Sequence, residues 1–318
     1  MKTKTQIILG KQYNPHLNLA VESHLLNEGE SDVVTMYLWK NQQTVVYGYN
    51  QNPFTECNVD LLLSEGGYAA RRRTGGGAVY HDLGNLNFSF VADKKLYDVT
   101  RQMNVIKTAL RYLGLEAEVS GRNDILLEGR KFSGNAFGIY KDRRLHHGTI
   151  LIKTDGEKLA KYLKVNPAKL QKHGVKSVAS RIINLSEVAD ITSDTITPYL
   201  TKAFEEVYET KAEYLDFDSI ITDNILKTRD LFASDDYLFG KWRNFKTKKS
   251  AQFPWGLVEL DMKINEEKGI IESISIASDG LEPERIDETE CILKGASIKK
   301  APDCGNNEIA KDILTLIY

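Results

Sequence analysis

RRRTGGGAVYHDLGN, Arg71 to Asn85, sets three arginines against three glycines and runs into LNFSF, where Leu86, Phe88 and Phe90 alternate with Asn87 and Ser89. That alternation is the period of a half-buried strand, so the glycines feed a sheet. Adjacent guanidiniums repel one another, and glycines cost chain entropy without adding packing, so a purely structural segment gains little from either. An anion resolves both. Gly75, Gly76 and Gly77 can take positive φ and turn backbone N–H groups toward phosphate oxygens, with the forked donors of Arg71, Arg72 and Arg73 nearby. The stretch is not a P-loop, because GxxxxGK followed by Ser or Thr is absent, and it is not GxGxxG opening a helix. What remains is a nucleotide held by strand and loop; the alternative is a flexible loop beside a solvated basic patch.

Upstream, Asn14-Pro15 has the form of an N-cap with proline at the first helical position, and Leu17, Val21 and Leu25 predict a helix through about Asn27. MYLWK and TVVYGY, around residues 36–49, predict a pair of strands joined to each other. Downstream, Met103, Ile106, Leu110 and Leu113, with Gly114 as terminator, predict an amphipathic helix over 98–113. Short apolar runs at 125–127, 132–140 and 149–152 predict a strand meander, and helical patterning returns near 157–163 and 195–208. Basic and chain-breaking residues cluster in KWRNFKTKKSAQFPWG, residues 241–256, which reads as a linker. Two alternating strands and two helical segments follow, a small α/β appendage of roughly 70 residues.

The totals bound the partners. Across 318 residues, 42 Lys and Arg against 44 Asp and Glu give a net charge of −2, which argues against bulk binding to nucleic acid or anionic membranes. The N-terminal apolar run is too short for a signal peptide, and no window approaches the ~20 apolar residues of a membrane span. A cytoplasmic protein, monomeric by default, is the expectation. Cys57, Cys291 and Cys304 are odd in number and far apart, so neither a disulfide framework nor a CxxC metal site is indicated.

Two further segments carry chemistry. In GRNDILLEGRKFSGNAF, Gly121 to Phe137, Lys131 follows a tight turn between Gly129 and Gly134, where its ammonium can be directed into a cleft. Asn123-Asp124 can bond a ligand, hold a metal or simply make a turn. In RRLHHGTILI, His146 and His147 are adjacent on a strand and point to opposite faces, so they are not expected to chelate one metal together; either one of them faces the site or both are histidines satisfied within the sheet.

Together these three segments resemble the lipoate–protein ligase A family. NPFTECN at 52–58, GVKSVASRIINL at 174–185 and FPWGLVEL at 253–260 extend the likeness over nearly the whole chain. The resemblance implies an α/β (α+β) fold: a biotin/lipoate ligase-type catalytic domain of mixed β-sheets with flanking helices over 1–243, a linker at 244–252 and a C-terminal α/β accessory domain at 253–318. It implies activation of lipoate by ATP and Mg²⁺ to lipoyl-AMP, then transfer to a lysine of a lipoyl domain. Acceptors would be acyltransferase subunits of 2-oxoacid dehydrogenases and the glycine-cleavage H protein. By the same resemblance Lys131 contacts lipoate and the α-phosphate. Arg72 with Gly77, Ala78, Val79 and Tyr80 holds the nucleotide on that resemblance; from the residues themselves, Gly75 and Gly76 join the set through their amides, Asn123, Asp124 and His147 are further binding candidates, and Asp124 is the candidate metal contact.

The chemistry agrees with that assignment. Carboxylate attack on the α-phosphorus brings two anions together, and a fixed ammonium between the reacting oxygens lowers the barrier. No residue is marked by its context as general base for the transfer. The rivals are an octanoyl or lipoyl transferase working through a cysteine thioester, for which Cys57 is the one thiol in the large domain, and a non-catalytic lipoyl-adenylate binding module. A biotin ligase is disfavoured by the missing GRGRxGRxW signature.

Overall fold

Strands β2 (Val33–Trp39) and β6 (Asn85–Asp93) sit at the centre of the computed structural model, which describes residues 3–121, 123–164 and 182–318. Every residue of β2, and all of β6 except Asp93, is buried. They belong to an eight-stranded mixed sheet, ordered β11-β1-β2-β6-β10-β9-β8-β7. Its other members are β1 (Lys4–Leu9), β7 (Ala117–Ser120), β8 (Asp124–Leu127), β9 (Arg130–Tyr140), β10 (Arg143–Leu151) and β11 (Glu213–Leu215). β1 runs parallel to β2 and β11, and the meander from β7 to β10 is antiparallel, as the turn residues between its apolar runs predict.

Helices cover both faces of this sheet. The Pro15–Glu28 helix starts where Asn14 accepts a hydrogen bond from Leu17 N–H, and it packs with Asp223–Ala233 against one face. Val99–Tyr112 and Ser193–Tyr208 seal the other against Phe88, Phe90 and Ile150. Asp98 caps the Val99–Tyr112 helix, which ends before Gly114 at φ 75°. The half-buried strand expected at 86–90 is therefore buried on both sides. Ser89 faces the Pro15–Glu28 helix rather than water: its Oγ donates to Glu22 Oε1 at 2.6 Å.

The strands expected to pair within 36–49 do not pair. β1 and β6 occupy both edges of β2, so β3 (Thr44–Tyr47) joins a second, three-stranded sheet with β4 (Tyr68–Arg71), parallel, and β5 (Val79–His81), antiparallel. The arginine and glycine loop connects β4 to β5, and this small sheet carries it to the edge of the large one.

Within the stretch read as a linker, Lys249–Phe253 forms β12, which pairs with β13 (Gly256–Asn265), itself paired with β14 (Ile270–Ser278). Helices Pro283–Leu293 and Glu308–Leu314 close a separate core on this sheet. The appendage docks on the large domain largely through backbone. Ser278 N–H donates to Asn50 O at 2.9 Å, Gly76 N–H to Gly280 O at 3.1 Å, and Asn50 Nδ2 to Pro283 O at 3.1 Å. Of the 174–185 segment, residues 174–181 lie outside the described residues; Ile183 N–H donates to Lys131 O at 3.0 Å. Among the described residues no helix is long and apolar enough to cross a membrane.

Candidate active site

The three arginines are not left bare for an anion. Arg71 donates to the carbonyls of Gly48, Tyr49, Gln51, Tyr237 and Leu238 and lies over the Tyr47 ring. Arg72 donates to Thr74 Oγ1 and to the carbonyls of Val46, Gly75 and Gly77. Arg73 reaches Ser23 Oγ and Asn27 Oδ1. Burial pushes the Arg72 guanidinium down to about 10, still charged at neutral pH, and the carbonyl dipoles take the place of water around it. Arg72 therefore shapes the glycine loop by gripping its carbonyls.

The glycines have distinct reasons. Gly76 takes φ 90°, and a Cβ on Gly75 would stand 2.1 Å from Gly280 O of the appendage. Gly76, Gly77, Ala78 and Val79 line a cavity of about 170 Å³ whose wall also includes Arg72, Asn123, Lys131 and His147. Lys131 reaches it from β9. Its Nζ lies 2.6 Å from Asp124 Oδ1 on β8, and both side chains are half-buried. The β8–β9 register shifts between Ile125 and Leu126, and Asn135 and Asn123 lock the far side of the irregularity by exchanging bonds with each other's backbone.

Beneath the loop runs a buried polar chain. Glu22 Oε1 lies 2.7 Å from His147 Nδ1, and His147 Nε2 lies 2.9 Å from Thr74 Oγ1, which also accepts from Arg72. Ser89 joins Trp39 Nε1 to the same carboxylate. His146 turns to the opposite face between Gln102 and Asn135, and burial pushes its imidazole down to about 3. Of the two adjacent histidines, His147 faces the cavity.

Arg72, Gly76, Gly77, Ala78, Val79, Asn123, Lys131 and His147 thus share one cavity wall, while Gly75 backs onto the appendage. Asp124 meets the site through Lys131. The Tyr80 side chain is not brought to that wall: it packs against Tyr162, centroids 5.8 Å apart, in the core of the small sheet. Leu19, Trp39, Val46, His81 and Asn87 line the cavity without having been singled out from sequence. His81 lay in the quoted arginine and glycine stretch and Asn87 in the alternating run after it, yet nothing local distinguishes a wall residue from a core one.

Residues 14–205 match the model of the lipoyl protein ligase A/B catalytic domain, and residues 243–302 that of the bacterial lipoate protein ligase C-terminus. The chain belongs to the lipoyl protein ligase family. A relative from Bdellovibrio bacteriovorus named lipoate-protein ligase A is 38% identical over 304 residues, 93% of this chain and 89% of its own. The crystal structure of P. falciparum LipL1 in complex with lipoate is similar at TM-score 0.82 and 31% identity, covering 98% of this chain and 99% of that one. A bi-partite lipoate protein ligase from Thermoplasma acidophilum, described with its E2 lipoyl domain, gives 0.65 and 26%, covering 75% and 97%. A lipoate-protein ligase A bound with ATP gives 0.62 and 25%, covering 76% and 99%.

For a lipoyl protein ligase the thiols matter as well. Cys57 is buried, its Sγ donates to Pro53 O at 3.0 Å, and burial pushes it up to about 12. At neutral pH it is a packed thiol rather than a thiolate.

Proposed function

We propose that the chain activates lipoate with ATP to lipoyl-AMP, releasing pyrophosphate, and then transfers the lipoyl group to a lysine of a lipoyl domain. One observation carries this reading: the Lys131 ammonium and the backbone of Gly76 to Val79 line the same cavity. Lys131 stands between the carboxylate and the α-phosphate and offsets the repulsion as they approach. Arg72 fixes the shape of the Gly76–Val79 run that receives the phosphates, and Asn123 and His147 complete the wall. Acyltransferase subunits of 2-oxoacid dehydrogenases and the glycine-cleavage H protein are the proposed acceptors, met by a monomer in the cytoplasm.

Magnesium fits as a companion of the nucleotide. Among the described residues no group of three or more His, Cys, Asp or Glu could hold a metal ion, and Mg²⁺ commonly keeps water and substrate phosphates with only one or two carboxylates. Asp124 is the proposed protein contact. The ion would screen the charge of the departing pyrophosphate.

Gly76 N–H is engaged by Gly280 O, so a phosphate that takes this amide displaces the appendage. We therefore also propose that the appendage shifts between the two half-reactions. The thioester rival is disfavoured by the packed Cys57 thiol. The test is an assay with ATP, lipoate and a lipoyl domain. Pyrophosphate release that needs lipoate, and lipoylation that needs ATP, are expected; acyl transfer without ATP would overturn the reading.

A further inference from the structure

Side chains in β9 do not alternate as in a regular strand. Phe132 packs with Phe88 and Phe90 in the core beneath the Val99–Tyr112 helix. Asn135, three residues on, turns its side chain to the same side, where it meets His146. Odd spacing puts two residues of a regular strand on opposite faces, so the extra residue opposite the Ile125–Leu126 step reverses the alternation between them. The reversal decides where the ammonium goes. Counted back from Asn135 without it, Lys131 falls on the helix-covered face; with it, Lys131 falls on the face of the cavity that it lines.

A buried hydrogen-bond chain on the helix side holds Asn135. Its N–H and its Nδ2 both donate to Asn123 O, at 2.8 and 3.1 Å. A carbonyl only accepts, so the Asn135 amide has one orientation, and its Oδ1 faces His146 Nε2 at 2.8 Å. Nε2 therefore carries the hydrogen. The imidazole, pushed down to about 3 by burial, is neutral, which leaves Nδ1 as an acceptor beside the Gln102 amide. Gln102 then turns its NH₂ to Nδ1 and its oxygen to the Tyr208 hydroxyl, which pairs two donors otherwise buried without a partner. Gly148 leaves room for the central contact: a Cβ there would stand 2.6 Å from Asn135 Oδ1.

We propose that His146 is a positioning residue for adenylation: it faces away from the cavity, yet by donating from Nε2 to Asn135 it holds the Asn123–Asn135 lock, and with it the bulge that sends Lys131 to the reacting groups. The inference rests on the proposed ligase reaction. Because His146 acts through Lys131, losing it slows the step that needs the ammonium in place, and matters only while that ammonium is there.

The test is a double-mutant cycle with Lys131→Ala, read as the rate of lipoyl-AMP formation. His146→Asn, whose amide is too short to reach Asn135, and Asn135→Ala should each slow this step roughly tenfold, with the KM for lipoate and for ATP held within about threefold. His146→Gln, which carries an N–H near the Nε2 position, should recover most of the rate. In the Lys131→Ala background the His146→Asn and Asn135→Ala substitutions should cost less than about twofold. A merely structural role would slow both backgrounds equally; that result, or wild-type rates in both single variants, overturns the assignment. Should His146→Asn fail to fold, Asn135→Ala carries the cycle, and ¹⁵N NMR of the wild-type imidazole supplies a second readout: hydrogen on Nε2 is expected, and hydrogen on Nδ1 overturns the chain. Wild type that forms no lipoyl-AMP from ATP and lipoate would sink the ligase reading instead.

Discussion

Gly134 makes room for the Lys131 ammonium. A Cβ there would lie 2.9 Å from both Lys131 Cε and Nζ, and the lysine, as the flexible partner, would be the group to move. Gly134→Ala is expected to slow lipoyl-AMP formation by ~10-fold or more through misplacement of the charge, with the melting temperature little changed. An adenylation rate within about twofold of wild type would show that the site tolerates a displaced ammonium. At this scale the position of Lys131 alone left it one of 42 basic residues, and it was the resemblance that singled it out; the structure places it on the cavity wall. The arginines were legible only as unusual. Arg71 finds its acceptors at Tyr237 and Leu238, more than 160 residues along the chain, and no local pattern announces them.

Among the elements, the helices expected at 15–27, 98–113, 157–163 and 195–208 fell where their apolar spacing and caps placed them, since both signals are local, whereas Asp223–Ala233 was not anticipated. Strand partners did not. Whether β3 pairs with β2 depends on which strands already hold β2's edges, and β1 and β6 come from distant sequence. Likewise the alternation in β6 separates two buried faces, one apolar and one polar, whereas the same pattern in an exposed sheet separates core from water. Burying polar groups between layers has a consequence for acid stability. His146, between β10 and the Val99–Tyr112 helix, and His81 at the end of β5 are each pushed down to about 3 by burial. In the unfolded chain they protonate near the ordinary ~6.5, so the unfolded state binds more protons as pH falls below that value. Their contribution to stability is full above pH ~6.5 and is lost toward pH 3, at up to ~1.4 kcal/mol per pH unit for each group. Urea denaturation midpoints should therefore fall clearly between pH 7 and pH 5, above the range where ordinary carboxylates titrate. Equal midpoints at the two values would contradict a pair of buried neutral imidazoles.

For the whole molecule, the change of composition near residue 241 reads as a connector between a large unit and a small one. It did not announce how they meet. The contact runs largely through backbone groups, Gly76 with Gly280 and Ser278 with Asn50, which leave little side-chain pattern to read, and β12 arises inside residues whose charge suggested a connector. The glycine loop thereby serves two masters, the appendage on its outer side and the cavity on its inner side, and the cavity is where Lys131 arrives from the large sheet. Lipoyl-AMP formation under single-turnover conditions by wild type and Lys131→Ala tests the role of that ammonium most directly. A loss of ~100-fold or more, with an unchanged melting temperature, is expected. Adenylate formation by the variant at the wild-type rate would contradict it.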